Sequence, residues 1–159
     1  MINDEKYMQL AIAEAQKAYD INEVPVGAVI IKDGKIISLA HNTRETEQNA
    51  THHAELLAIN SACKSLGTWR LTGCEIYVTL EPCPMCTGAI INSRLNRIVY
   101  GAADSAMGCC GSVANLCAMP FASVPLVKSR VLESECSELL KRFFAKLRIK
   151  NTESGDTDA

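Results

Sequence analysis

Between Asp4 and Asn22, the apolar residues Met8, Ala11, Ile12, Ala15 and Tyr19 recur at three- and four-residue intervals. That spacing lines one face of a helix. Val24 to Lys32 is an uninterrupted β-branched run after Pro25, Asp33-Gly34 is a two-residue turn, and Lys35 to Ala40 is apolar again, which predicts a β-hairpin. His41 to Thr51 is polar and without period, so it reads as a loop, and His53 to Leu66 is Ala- and Leu-rich at helical spacing, closed by Gly67. Glu75 to Leu80 predicts a strand, Pro82 to Ser93 a helix opened by prolines, and Arg97 to Tyr100 a short apolar strand.

Gly101 to Pro125 is rich in Gly, Ala, Ser and Cys and reads as a functional loop, with one helical turn around Asn115 to Met119. Leu126 to Ser129 predicts a last strand. Ser134 to Lys150 has the helical spacing Cys136, Leu139, Leu140, Phe143, Phe144 and Leu147, and 151–159 reads as a disordered polar tail. Strands interleaved with helices of this length imply a three-layer α/β/α sandwich on a mixed five-stranded sheet, antiparallel at the hairpin and parallel after it.

Composition narrows the class. A chain of 159 residues suits one domain, here expected to be residues 1–150, and 21% charged with 48% hydrophobic residues is normal for a globular protein. No stretch reaches the length of a transmembrane helix and the N-terminus is acidic, so a cytoplasmic protein without membrane association is expected. The eight cysteines are expected to be reduced, since an apolar content this high needs no disulfide framework. A net charge of −2 argues against broad non-specific nucleic-acid binding and leaves local basic patches open.

The chemistry concentrates in His53-Ala54-Glu55 and Pro82-Cys83-Pro84-Met85-Cys86. Each half falls where a helix begins, so two positive helix ends can converge on one point and favour thiolates there. One imidazole and two thiolates can hold Zn2+ with a position left open, and a carboxylate two residues past the His can move protons without being a ligand. H-x-E…P-C-x-x-C is the general signature of zinc nucleobase deaminases. It assigns His53, Cys83 and Cys86 as metal ligands and Glu55 as the general acid and base.

Competing readings exist. Cys83-Pro84-Met85-Cys86 alone also describes a thioredoxin-like redox pair, which has no use for His53 or Glu55. A closed structural zinc site needs a fourth protein ligand, for which His52, Cys109 and Cys110 are candidates. Cys63, Cys74, Cys117 and Cys136 sit among apolar neighbours and read as small buried hydrophobes.

Nearly end to end, the chain resembles the bacterial tRNA-specific adenosine deaminase family. The resemblance rests on Glu23-Val24-Pro25-Val26-Gly27-Ala28-Val29, His41-Asn42, Trp69-Arg70-Leu71, Thr79-Leu80-Glu81 running into the cysteine motif, Gly111-Ser112, and Glu135-Cys136 with Phe143-Phe144. It implies a cytidine-deaminase-like fold, one zinc per subunit, a homodimer, and hydrolytic conversion of adenosine to inosine at the wobble position of a tRNA anticodon loop. It also implies substrate contacts from Asn42, Ala54, Asp104, Phe143 and Phe144. For Asn42 the plainer alternative is a turn residue ending the hairpin, and for Asp104 a surface turn residue.

Lys141, Arg142, Lys146, Arg148 and Lys150 beside the two phenylalanines read either as an RNA-facing surface or as a solvated basic face over core aromatics. Ala106 stands where the family commonly has a lysine. Deaminases of free guanine or cytosine, which would share the metal chemistry, and a non-catalytic RNA-binding module stapled by zinc are the alternatives.

Overall fold

The computed structural model describes residues 3–155. Helix α1 spans Asp4–Asp20, the hairpin is β1 (Gly27–Lys32) and β2 (Lys35–His41), and α2 spans Ala54–Leu66. Strand β3 (Cys74–Leu80), α3 (Pro84–Asn92), β4 (Arg97–Ala102), a 3-10 turn at Leu116–Ala118, β5 (Leu126–Lys128) and α4 (Glu133–Ser154) complete the chain. The sheet order is β2-β1-β3-β4-β5, with β1 antiparallel to both neighbours and β3, β4 and β5 mutually parallel. This is the expected mixed five-stranded sheet.

Alternation along the strands builds the three layers. Ala28, Ile30, Ile76, Val78, Ile98 and Tyr100 join one core with α2 and α3, while Val29, Ile31, Tyr77 and Val99 join a second core with α1 and α4. Successive strand side chains point to opposite faces, so the central strands β1, β3 and β4, covered on both sides, are buried at nearly every position, whereas the edge strands β2 and β5 are more exposed. The hairpin turns at Asp33 and Gly34, whose φ values of 49° and 74° suit a type I′ turn. Gly27 lets α1 lie directly on the sheet, because a Cβ there would overlap the Ala11 carbonyl and the Ala15 amide.

The first turn of α1 is tied to the start of β4. Asp4 accepts from both terminal nitrogens of Arg97 at 2.8 Å, and from Lys128 on β5 at 2.6 Å. Three elements far apart in sequence are thereby joined under the sheet.

One expectation needs correcting at the C-terminus. Helix α4 runs four residues beyond the expected limit of 150, to Ser154, with the Thr152 side-chain hydroxyl donating to the Arg148 carbonyl one turn earlier. Residues 156–159 lie outside the described residues.

Candidate active site

The site is assembled from two helix beginnings at the C-terminal end of β3. His53 is the extended residue immediately before α2, and Glu55 lies in that helix's first turn, buried at 4% exposure. Cys83 is the extended residue before α3, Pro84 takes the first helical position, where no N–H is needed, and Cys86 follows inside the first turn. The nitrogen and the two sulfurs all lie within 4.8 Å of one another. His53 Nδ1 stands 3.7 Å from Cys83 Sγ and 3.5 Å from Cys86 Sγ, and Glu55 Oε2 stands 3.5 Å from Cys86 Sγ.

These separations fit a zinc ion. Ligand atoms at 2.0–2.3 Å from one tetrahedral ion are separated from each other by roughly 3.5 Å. The donor chemistry agrees, since one imidazole and two thiols form a set of borderline-soft ligands. The Cys86 thiol and then the His53 ring stabilise the Cys83 thiolate, lowering its pKa to about 4, while the same sharing pushes Cys86 upward. The hydrogen bond to Cys83 raises His53. Burial pushes Glu55 up to about 7, so the carboxyl can both take and release a proton near neutrality.

A cavity of about 470 Å³ opens onto these groups, with Asn42, Arg44, Ala54, Glu81, Asp104 and Met107 among its walls. Asn42 is held by a bond from its Nδ2 to the Val24 carbonyl at 3.2 Å and by the Arg44 amide on its Oδ1 at 3.1 Å. It both ends the hairpin and lines the cavity. Asp104 combines a turn role with a place in the cavity wall, its Oδ1 accepting the Ala106 and Met107 amides at 2.9 and 3.1 Å.

The two phenylalanines are not brought to this cavity. Phe143 is buried against Tyr19 of α1, and Phe144 is 41% exposed, edge-on to Phe143. Arg142 and Lys146 lie over the Tyr19 ring on that same side. Nor do the candidate fourth ligands join the cluster: among the described residues, His53, Cys83 and Cys86 form the one group of three or more such side chains, and His52 bonds Glu47 instead. Of the four cysteines expected to be buried, Cys74 and Cys136 are, whereas Cys63 and Cys117 are only half-buried.

Sequence reasoning missed Glu81, which is 1% exposed at the end of β3. Its carboxylate accepts the amides of Asp104 (3.3 Å), Cys110 (3.1 Å) and Ser112 (3.1 Å), together with the Ser112 hydroxyl. Burial alone would raise its pKa, but these donors outweigh it and lower it. Glu81 therefore clips the 104–112 loop against the cavity. A charged residue between an apolar strand and Pro82-Cys83 was the available signal.

A family model for MafB19-like deaminases matches residues 2–148. The tRNA-specific adenosine deaminase of Bacillus subtilis (strain 168) is 53% identical over 151 residues, covering 94% of each chain. The chain belongs to the tRNA-specific adenosine deaminase family. Within and around that family, a structure solved in a study of A-to-I editing by tRNA:A34 deaminases at the wobble position is 41% identical, with a TM-score of 0.82 over 85% of this chain and 99% of the other. A guanine deaminase from Bacillus subtilis is 32% identical with a TM-score of 0.62, covering 92% of this chain and 95% of that one. A guanine deaminase from Nitrosomonas europaea, 22% identical, reaches a TM-score of 0.81 over 91% of this chain and 86% of that one, so the shared backbone shows the fold and does not separate the substrate classes.

Proposed function

We propose that this chain hydrolyses the amino group of adenosine to give inosine at the wobble position of a tRNA anticodon, with one Zn2+ held by His53, Cys83 and Cys86. The observation that carries the reading is Glu55, a buried carboxyl 3.5 Å from a thiol of a three-donor cluster that opens into a cavity. A structural zinc staple would need a fourth protein donor and no neighbouring proton carrier.

A bound zinc would supply Lewis acidity, lowering the pKa of a water in the cavity toward neutrality. Glu55 takes the proton released as water oxygen attacks C6 of the adenine, and delivers it to the adjacent ring nitrogen. The tetrahedral carbon then expels ammonia, with Glu55 carrying the second proton to the leaving group. Asn42 and Ala54 form the wall against which the flipped base is oriented, and Asp104 shapes the rim.

The RNA backbone is assigned to the basic α4, where Lys141, Arg142, Lys146, Arg148 and Lys150 are exposed or nearly so and Phe144 offers a stacking face. Phe143 is assigned a packing role. A homodimer is part of this proposal and rests on the family resemblance. No helix among the described residues is long and apolar enough to cross a membrane, and a cytoplasmic location suits a tRNA substrate. The chain through the end of α4 at Ser154 acts as one deaminase domain.

The deciding test is incubation with total tRNA, and separately with free adenosine, cytidine and guanine, followed by nucleoside analysis. Inosine confined to the wobble position supports the proposal. Turnover of free guanine or cytidine with tRNA left unchanged would assign the cavity to a free base or nucleoside instead.

A further inference from the structure

Cys110 and Cys117 form a second group of thiols that the metal cluster does not use. They are brought together by backbone bonding within the 108–118 loop. Cys110 forms a bridge with Asn115, the Gly111 amide donates to Ala114 at 2.9 Å, and the Leu116 amide donates to the Cys109 carbonyl at 3.0 Å. The 3-10 turn at 116–118 follows that bridge directly and places Cys117 two residues beyond the bridge partner of Cys110, where each thiol shifts the titration of the other, Cys110 upward and Cys117 downward. Cys117 packs on the same core cluster that contains Cys110.

Access is asymmetric: Cys110 is 6% exposed, whereas Cys117 is half-buried, so a solute reaches Cys117 first. Cys109 next to it is also buried, its amide fixed on the Pro82 carbonyl at 2.9 Å. We propose that Cys110 and Cys117 are a thiol-modification site, separate from the metal donors, that a hydroperoxide closes to a disulfide.

The chemistry balances with the hydroperoxide as the sole co-reactant. The Cys117 sulfur attacks the peroxide, an S–O bond forms as the O–O bond breaks, and the departing oxygen leaves with the thiol proton as water or an alcohol. The Cys110 sulfur then attacks the Cys117 sulfenic acid, the S–S bond forms, the S–O bond breaks, and the Cys110 proton leaves in a molecule of water. Two electrons pass from the thiol pair to the peroxide. The bond would draw the Cys110 sulfur from the Thr87 hydroxyl, now 3.7 Å away on the helix that carries Cys86. The Cys110 amide is also one of the donors on Glu81, so the cross-link bears on the cavity wall.

The test uses zinc-loaded full-length protein treated with hydrogen peroxide, labelled with iodoacetamide after denaturation and digested with trypsin without reductant. The peptide 98–128 carries all three cysteines of the loop. The expected result is labelling of Cys109 alone, return of label at Cys110 and Cys117 after a thiol reductant, unchanged zinc content, and no closure in Cys117→Ser or Cys110→Ser protein. Labelling of all three cysteines after peroxide, or a disulfide that includes Cys109 and persists in Cys117→Ser, would overturn the assignment.

Discussion

The carboxylate of Glu55 and the sulfur of Cys86 lie 3.5 Å apart, although they belong to different helices separated by a whole strand. The proton carrier and the metal donors are therefore set relative to each other by the packing of α2 against α3. Removing the carboxylate should leave the donors intact. Glu55→Gln is expected to retain one zinc per subunit by metal analysis, with deamination falling by about 10²-fold or more. Near-normal turnover in that variant would take Glu55 out of the mechanism.

Metal removal should act on rate and stability together. Dialysis against a strong chelator leaves two thiols and an imidazole crowded without a cation, so deamination is expected to stop and Tm to fall, both restored by added Zn2+. Cys83→Ser should need more zinc for half-restoration than the parent chain, read by a zinc titration of activity. Full activity in a sample verified to be metal-free would exclude a zinc-dependent reaction.

Glu81 offers a way to disturb the cavity without touching a donor. In Glu81→Ala the amides of Asp104, Cys110 and Ser112 lose their acceptor. A stability loss of about 2 kcal/mol is expected by urea denaturation, from buried donors left unpaired. Because the freed loop forms the cavity rim, KM for tRNA should rise more than kcat falls. An unchanged KM would confine Glu81 to a folding role.

The Asp4–Arg97 pair predicts how stability depends on pH. The guanidinium of Arg97, against the opposing effect of burial, holds the Asp4 carboxyl well below its ordinary value of 3.8. A depressed folded-state pKa gives stability that is fully present above that ordinary value and is lost as pH falls through the folded-state one. Asp4→Asn should cost about 3 kcal/mol at pH 7, and the difference from the parent chain should shrink at pH 3 and below. Equal differences at both pH values would show that the charge of Asp4 contributes nothing.

Gly27 tests how closely α1 seats on the sheet. Gly27→Ala forces a methyl against the Ala11 carbonyl and the Ala15 amide, so a loss of about 1–3 kcal/mol is expected from thermal unfolding. Unaltered Tm would mean that the helix shifts freely.

The hairpin, the helix starts at both halves of the metal motif and the small turn near residue 117 were legible in the sequence, because local chemistry decides them. Asp33-Gly34 needs no partner to turn, and Pro84 suits a first helical position because its missing N–H is not needed there. Helix α4 was legible as a helix but not in its orientation. Phe143 and Phe144 are successive residues about 100° apart around the axis. Only the placement of Tyr19 from α1 makes the first a core residue and leaves the second exposed.

By itself, the sequence determined the donor types, their spacing and the alternating elements, since periodicity and ligand chemistry act over a few residues. Tertiary structure alone decided that no fourth donor of the described residues joins His53, Cys83 and Cys86, that Glu81 holds the 104–112 loop, and that Cys117 meets Cys110. These depend on distances across a folded sheet and a non-repetitive loop, where no residue period records which side chains will meet.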